Sequence, residues 1–255
     1  MSKEIKKNSV AFLMPCGSPV EPKVVQSALS LVINSSNAGY PVTQIGFTDR
    51  TLIDTARNML ARQFMETDCE WSFWMDSDMI LDPKTISIMI SRAKELDAKF
   101  LTGVYCRRMG DHRPLLWRRK LVDENNETLL EYKDDSDRWV TTDVLIHPDK
   151  KEPFRVDACG FGCCLIHRSV YEQLKYPYFQ AFWTDHKGTR IQVSEDFYFS
   201  TIAREAGIKL WAIPEMKCGH MGFSPVYTIN DCKVLEEPAV QLKDEQEEKK
   251  CQKTV

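Results

Sequence analysis

The chain has 255 residues, which is enough for one large domain with a sizeable core or for two small domains. An apolar fraction of 43% and a charged fraction of 28% are typical of soluble globular proteins. No apolar run reaches about 18 residues, so we expect no transmembrane segment. A net charge of −3 gives no general attraction to nucleic acid.

The nine cysteines indicate a reducing compartment rather than a disulfide framework. Their number is odd and no CxxC pair occurs, which argues against paired disulfides and against a zinc ribbon. The opening residues MSKEIKKNSVAFLMPCG contain only a brief apolar run, which favours a first strand over a signal peptide. We therefore predict a cytoplasmic protein, with buried thiols at Cys159, Cys163 and Cys164.

Strand and helix patterns alternate from Ser9 to Cys106. A strand ends near Pro15, and a helix, a second strand and an amphipathic helix, TLIDTARNMLARQFMETD, follow it. Trp71 to Met75 form a third, buried strand, and a helix from Pro83 to about Asp97 precedes the strand KFLTGVYC. This alternation predicts βαβ units and a mainly parallel sheet, in which ligands bind at the carboxyl ends of the strands.

The second half of the chain is less regular. Arg107 to Phe154 are polar and predict a small antiparallel excursion, after which FRVDACGFGCCLIHRSVYEQL indicates a strand pair and a helix. VSEDFYFSTIAREAGIKLWAIP then indicates a helix and a strand. We assign residues 1–232 to one domain, with a nucleotide-binding half at about 9–106 and an acceptor half at about 155–232. Residues 233–255 are charged and are predicted to be a frayed helix or a disordered tail.

Two acids, Asp76 and Asp78, directly follow the buried strand. Residues i and i+2 of a strand point to the same side, so the two carboxylates should repel each other unless a cation lies beside them. Carboxylate oxygens are ligands that Mg²⁺ and Mn²⁺ prefer, commonly together with substrate phosphates. The alternative is helix capping, which suits Asp82 directly before a proline but explains only one acid of the pair.

Four segments, in this order, resemble nucleotide-sugar glycosyltransferases of the GT-A fold, especially family-two-like enzymes. FWMDSDMILDP is similar to their DxD segment, DACGFGCCLI to an acceptor-side segment, SEDFYFSTIAREAGIKLWAIP to their ED motif, and CGH to a late metal-site histidine. The similarity covers about Ser9 to Met221, and the stretch Arg107–Phe154 matches poorly. It extends to phage- or virus-type members, for which the location would be the host cytoplasm.

The resemblance implies a single α/β domain of the GT-A, Rossmann-like type, with helices on both faces of a mainly parallel sheet. It also implies a glycosyltransferase that uses Mn²⁺ or Mg²⁺ and a nucleoside-diphosphate sugar. Asp78 would be the direct metal ligand, and Asp76 would reach the ribose, or the metal through water. His220 would complete the metal shell or contact the diphosphate; the alternative is a surface-loop histidine.

Further nucleotide-binding residues follow from the same resemblance. Arg57, in DTARN, would contact the nucleotide or its diphosphate, for which its planar fork is suited; a solvated arginine on a helix face is the alternative. Asn58 beside it, Ser77 between the two acids, and Pro15 in the loop MPCGSP complete the set, the loop acting through its backbone.

Asp196 in SEDF is the expected general base for an inverting transfer, which needs a base opposite the leaving diphosphate. Glu195 would contact the acceptor or orient the start of the helix. The same letters also suit a helix N-terminus with acids in its first turn, and both interpretations can hold. A retaining mechanism stays open.

The acceptor side is less defined. Gly160, Phe161 and Gly162 would bring backbone close to the sugar or acceptor, or would form a β-bulge. Trp183 would stack on a sugar or a base, or would be a core tryptophan. Basic clusters at 107–108 and 118–120 suit an anionic acceptor or a solvated surface. A glycan, a lipid-linked glycan and a hydroxymethylated base in DNA are all open.

Two other function classes are considered. A sugar-nucleotide nucleotidyltransferase should carry a glycine-rich phosphate loop near the N-terminus, whereas MPCGSPVEPK contains one glycine. A non-catalytic nucleotide-binding module could retain the fold, but it would not require the acids and His220 together.

Overall fold

The computed structural model describes residues 4–108, 112, 114–119, 139–141, 151–186, 189–222 and 226–228. The predicted charged tail, 233–255, and most of the predicted excursion between 107 and 154 lie outside the described residues. No helix in the described part of the chain is long and apolar enough to cross a membrane.

The first half has the alternation of strands and helices that the sequence predicts. Its elements are β1 (Lys6–Met14), α1 (Pro22–Asn37), β2 (Val42–Phe47), α2 (Ile53–Glu66), β3 (Cys69–Met75), β4 (Met79–Ile80), α3 (Thr85–Glu95) and β5 (Phe100–Val104). Pro22 occupies the first turn of α1, where the missing N–H of proline costs nothing. Gly39 follows α1 with a positive φ of 85°, a conformation that glycine adopts without strain.

The second half contains shorter strands and two helices. Its elements are β6 (Leu116–Arg119), β7 (Trp139–Thr141), β8 (Phe154–Val156), β9 (Ala158–Cys159), β10 (Cys163–His167), α4 (Arg168–Gln173), β11 (Phe182–His186), β12 (Thr189–Val193), α5 (Glu195–Glu205), β13 (Leu210–Lys217), β14 (Gly219–Met221) and β15 (Val226–Tyr227). β11 and β12 form a hairpin, and two three-stranded sheets, β15-β14-β4 and β7-β6-β9, lie beside the main sheet.

The central sheet has seven strands in the order β2-β1-β3-β10-β5-β13-β8. β1 is parallel to β2 and β3, and β13 is parallel to β5. β10 runs antiparallel between β3 and β5, and β8 runs antiparallel at the edge. The predicted mainly parallel sheet is confirmed. The antiparallel β10 matters for the site, because its amino end lies beside the carboxyl ends of β3 and β5.

Helices cover both faces of this sheet, as predicted. Successive side chains of a strand point to opposite faces, so Phe73 packs in the layer with α1 and α3, whereas Trp74 packs in the layer with α2, α4 and α5. Trp74 donates its indole N–H to the Tyr171 hydroxyl at 2.8 Å, which satisfies the one polar group of a fully buried side chain.

The cysteines contribute to these layers as small apolar residues. Cys159, Cys163 and Cys164 are fully buried free thiols, as the sequence predicts. Burial raises the pKa of the Cys159 thiol well above its ordinary value, so it stays protonated.

Candidate active site

Asp76 and Asp78 lie in the turn that joins β3 to β4, at the carboxyl edge of the sheet. The Met79 amide donates to the Asp76 carbonyl at 3.1 Å, and the Met221 amide of β14 donates to the Asp78 carbonyl at 2.8 Å. Because the strand ends at Met75, the two carboxylates do not share one side as strand residues would. Each carboxylate instead contacts a basic side chain of its own, which offsets the repulsion expected between the two acids.

Arg57, on α2, is the cation of Asp76. Its side chain is only 3% exposed, so it is not a solvated arginine on a helix face. Its Nη2 donates to Asp76 Oδ1 at 3.0 Å, and its Nε donates to Glu195 Oε1 at 2.9 Å. Burial lowers the pKa of Arg57, but the charges of Asp76 and Glu195 raise it by more, so Arg57 stays charged. Nη1 is buried and has no hydrogen-bond partner among the described residues.

This arginine connects α2, the end of β3 and the start of α5. Glu195 is the first residue of α5 and is 6% exposed. Its predicted role of orienting the helix start matches this contact, while its burial on Arg57 leaves it no direct route to an acceptor. The Arg57 guanidinium also lies 5.2 Å from the centre of the Phe161 ring, within cation–π range.

Asn58 has a role that the sequence did not indicate. Its Nδ2 donates to the carbonyl groups of Asp54 at 2.9 Å and Phe179 at 2.6 Å, and its Oδ1 accepts from the amides of Tyr178 and Phe179. These four bonds use the full capacity of the amide. Asn58 therefore holds the chain at 178–179 against α2 and offers no free group to a nucleotide.

Asp78 contacts two other basic side chains. Its Oδ2 lies 3.3 Å from His220 Nε2 and 2.6 Å from Arg108 Nη1. Burial raises the pKa of Asp78, but the hydrogen bond and charge of His220 and the charge of Arg108 lower it by more, so Asp78 is ionised. His220 Nδ1 is 2.8 Å from the Cys106 carbonyl, which can only accept, so Nδ1 carries a proton.

The pair Asp78 and His220 fits a divalent cation. Two neighbouring ligands of an octahedral ion, each about 2.1 Å from the metal, are about 3 Å apart. The Asp78–His220 separation of 3.3 Å is close to that value. The Nδ1–H bond to a carbonyl is the usual outer contact of a metal-binding histidine. No group of three or more His, Cys, Asp or Glu side chains in the described ranges is placed to hold a metal, so water and phosphate oxygens would supply the other ligands.

Asp196, the second residue of α5, is held by its own neighbours. Its Oδ1 accepts from the Ser194 hydroxyl and from the Phe197 amide, the latter at 2.8 Å. Ser194 occupies the N-cap position, but its hydroxyl bonds to Asp196 instead of capping the backbone. Burial, and next the charge of Glu195, raise the pKa of Asp196 to about 6. A carboxylate with this pKa is a suitable base near neutral pH.

The residues predicted to bind the acceptor differ in their exposure. Trp183 is 57% exposed on the β11–β12 hairpin, so it is not a core tryptophan, and the Arg190 guanidinium lies 5.7 Å from its ring centre. Phe161 is 1% exposed and packs against Trp74 and Phe199, so its side chain belongs to the core.

Gly160 and Gly162 lie in the connection from β9 to β10 rather than at a β-bulge. A Cβ at Gly162 would stand 2.8 Å from the Tyr105 hydroxyl and 2.9 Å from Met79 Sδ. The Gly162 amide donates to that hydroxyl at 2.7 Å. Packing of Tyr105 therefore accounts for both glycines. Tyr105 was not among the predicted site residues, although it directly follows β5, at a strand's carboxyl end, where ligands bind in such sheets.

Pro15 and Ser77, which are predicted to contact the nucleotide, have simpler surroundings. Pro15 is buried directly after β1, next to Cys16, whose amide donates to the Thr48 hydroxyl at 3.2 Å. Ser77 is half-buried in the turn between the two acids. Both therefore lie at the carboxyl edge of the sheet with Asp76 and Asp78.

The sheet order, the helices on both faces and the position of the site define a GT-A-like fold. No protein-family model and no curated protein sequence matches the chain. The solved structure of A197 from STIV matches with a TM-score of 0.58 and 17% identity, over 90% of this chain and 94% of that one. GalNAc-T7 with UDP, GalNAc and Mn²⁺ matches with a TM-score of 0.51 and 12% identity, over 88% of this chain and 45% of that one. Identities this low show the fold alone.

Removing the buried cation should destabilise the protein in a pH-dependent way. Arg57→Met leaves Asp76 and Glu195 buried without a partner, and we expect a loss of about 3–5 kcal/mol of unfolding free energy at neutral pH. The pKa of Asp76, which Arg57 holds down, rises in the variant, so the folded state binds its proton more tightly than the unfolded state and the deficit shrinks towards about pH 5. Urea unfolding at both pH values measures this, with Arg62→Met, exposed on the same helix, as control. Equal deficits at both pH values would contradict the ion-pair account.

Crowding at Gly162 should also be measurable. Gly162→Ala places a methyl group against the Tyr105 ring and Met79, and we expect a loss of about 1–3 kcal/mol. Gly17→Ala is the matched control, because no atom lies within 4 Å of a Cβ built there. Thermal unfolding of the two variants compares them, and equal stabilities would show that Tyr105 can move aside.

Proposed function

We propose that the protein is a metal-dependent glycosyltransferase that moves a sugar from a nucleoside-diphosphate sugar to an acceptor hydroxyl. The observation that carries the proposal is the geometry at one edge of the GT-A-like sheet. Asp78 and His220 form a pair with metal-ligand spacing there. Arg57 connects the neighbouring Asp76 to the start of α5, where Asp196 has a raised pKa.

On the donor side, Asp78 and His220 would hold Mn²⁺ or Mg²⁺. The bound ion would act as a Lewis acid that stabilises the departing diphosphate. Asp76 is fixed by Arg57 and remains 28% exposed, so its carboxylate would accept a hydrogen bond from the ribose. Ser77 and the backbone after Pro15 border the same edge and would contact the nucleotide.

On the acceptor side, Asp196 would take the proton of the attacking hydroxyl. Ser194 and the Phe197 amide hold Oδ1, which fixes the orientation of the carboxylate and leaves Oδ2 for the acceptor. This arrangement supports an inverting transfer, in which the base lies opposite the leaving group. Trp183, exposed beside Arg190, would provide a surface on which the acceptor stacks.

The salt dependence of the transfer tests the class of acceptor. A glycan, a lipid-linked glycan and a modified nucleic acid all carry hydroxyl groups that Asp196 could deprotonate. Binding to nucleic acid releases counterions, so transfer to DNA would fall steeply as salt rises, whereas transfer to a neutral glycan would not.

Metal-dependent nucleotide binding is the first test of the donor site. UDP, GDP, dTDP, ADP and CMP are screened by thermal shift with Mn²⁺ or with EDTA, and UDP with Mn²⁺ comes first because GalNAc-T7 was solved with both. We expect one diphosphate to stabilise the protein only with the metal, and Asp78→Ala to lose that shift. Asp82→Ala is the control, since Asp82 Oδ1 accepts from the Lys84 amide instead. Equal shifts in wild type and Asp78→Ala would exclude Asp78 as the ligand.

Catalysis by Asp196 predicts a rate loss and a pH profile. Asp196→Asn should slow release of the nucleoside diphosphate from its sugar nucleotide by about 10²–10⁴-fold without weakening nucleotide binding. The wild-type rate should rise through about pH 6 and then level off, because only the deprotonated carboxylate is a base. Glu205→Gln, at the far end of α5, is the control. A variant within a few-fold of wild type would point to a retaining mechanism, and no product release at all would leave a binding module.

A further inference from the structure

The arginines that contact Asp76 and Asp78 differ in how easily they can leave these carboxylates. Arg57, on Asp76, is buried and bonded to a second carboxylate. Arg108, on Asp78, is 49% exposed, and its Nη1 lies 2.6 Å from Asp78 Oδ2. A half-exposed arginine on a half-exposed carboxylate is held weakly, because water competes for both groups. The Arg108 contact can therefore be exchanged for another, whereas the Arg57 contact cannot.

Arg108 occupies the oxygen that a metal would use. The same Asp78 Oδ2 contacts both Arg108 Nη1 and His220 Nε2. A divalent ion bound to this pair would bring two further positive charges next to the guanidinium, and like charges at that distance repel. Metal binding therefore competes with the Arg108–Asp78 contact.

The displaced side chain stays close to the site. Arg108 lies two residues after Cys106, whose carbonyl is bonded to His220 Nδ1 at 2.8 Å. Cys106 is itself paired with Pro114 in an isolated bridge. The backbone that carries Arg108 is therefore anchored beside His220, and only the side chain needs to turn.

We propose that Arg108 changes partners when the donor binds, leaving Asp78 for the metal and binding the diphosphate of the donor through its planar fork. A guanidinium matches two phosphate oxygens in geometry and in charge. This inference rests on the proposed function and adds a residue to its donor site. This exchange of partners would make the metal and the diphosphate bind cooperatively. Arg108 opposes the metal when the site is otherwise empty, and it assists metal binding when a diphosphate is present.

Two affinities measured separately test this exchange. Binding of Mn²⁺ alone is followed by the electron paramagnetic resonance signal of the free ion, and binding of inorganic pyrophosphate at saturating Mn²⁺ is followed by calorimetry. Pyrophosphate is the probe because Arg108 is expected to contact the diphosphate and not the base. For Arg108→Gln we expect Mn²⁺ alone to bind about fivefold tighter and pyrophosphate to bind about tenfold weaker. A role confined to stability would not move the two affinities in opposite directions.

Two further variants separate charge from geometry. Arg107→Gln removes one positive charge from the neighbouring residue, which has no contact with Asp78, and should change either affinity by at most about twofold because solvent screens it. Arg108→Lys keeps the charge but lacks the fork, so it should still oppose Mn²⁺ while binding pyrophosphate less tightly than wild type.

The outcomes distinguish this inference from the function on which it rests. If wild type binds Mn²⁺ and pyrophosphate and Arg108→Gln changes neither affinity, the exchange is wrong and the metal site stands. If the variant gains Mn²⁺ affinity but keeps pyrophosphate affinity, Arg108 only competes with the metal, and the proposed contact with the diphosphate is overturned. If wild type binds neither ligand, the proposed function fails, and the exchange fails with it.

Discussion

The site depends on a buried ion pair network centred on Arg57. A charge that is 3% exposed is tolerated only when its partners are close and well oriented, and Arg57 meets this condition with Asp76 on one side and Glu195 on the other. The three residues come from α2, from the end of β3 and from the start of α5, so one guanidinium fixes the relative position of these three elements. Asp196, next to Glu195, is placed by the same contact.

Charge balance at this edge favours a metal ion. The four carboxylates of Asp76, Asp78, Glu195 and Asp196 face two arginines, Arg57 and Arg108, together with His220. Burial raises the pKa of Asp76, and it raises the pKa of Asp196 to about 6. Asp78 instead keeps a lowered pKa because of its basic neighbours. A divalent cation bound at Asp78 would lower that pKa further.

Local pattern predicted the elements, but not the contacts between them. Alternation and helical spacing are short-range properties, so the strands and helices of the first half, and the place of Asp76 and Asp78 at the end of a strand, could be predicted. His220 was indicated by the resemblance alone. Strand direction is not encoded in such patterns, and β10 turned out to run antiparallel. Arg57 and Glu195 are 138 residues apart, so their pairing had no local signal. For the same reason the sequence predicts that Asn58 and Phe161 contact ligands, although their partners lie in the core.

The two acids of the turn therefore have different physical roles, although they look equivalent in the sequence. Asp76 is bound to a cation that cannot leave, since Arg57 is enclosed and also holds Glu195. Asp78 is bound to His220, which is 12% exposed, and to Arg108, which is 49% exposed and can be replaced. Of these two acids, Asp78 is therefore the one that can offer its charge to a ligand. Asp76 thus organises the site, whereas Asp78 exchanges its partner. The difference is set by the burial of their partners and not by their spacing along the chain.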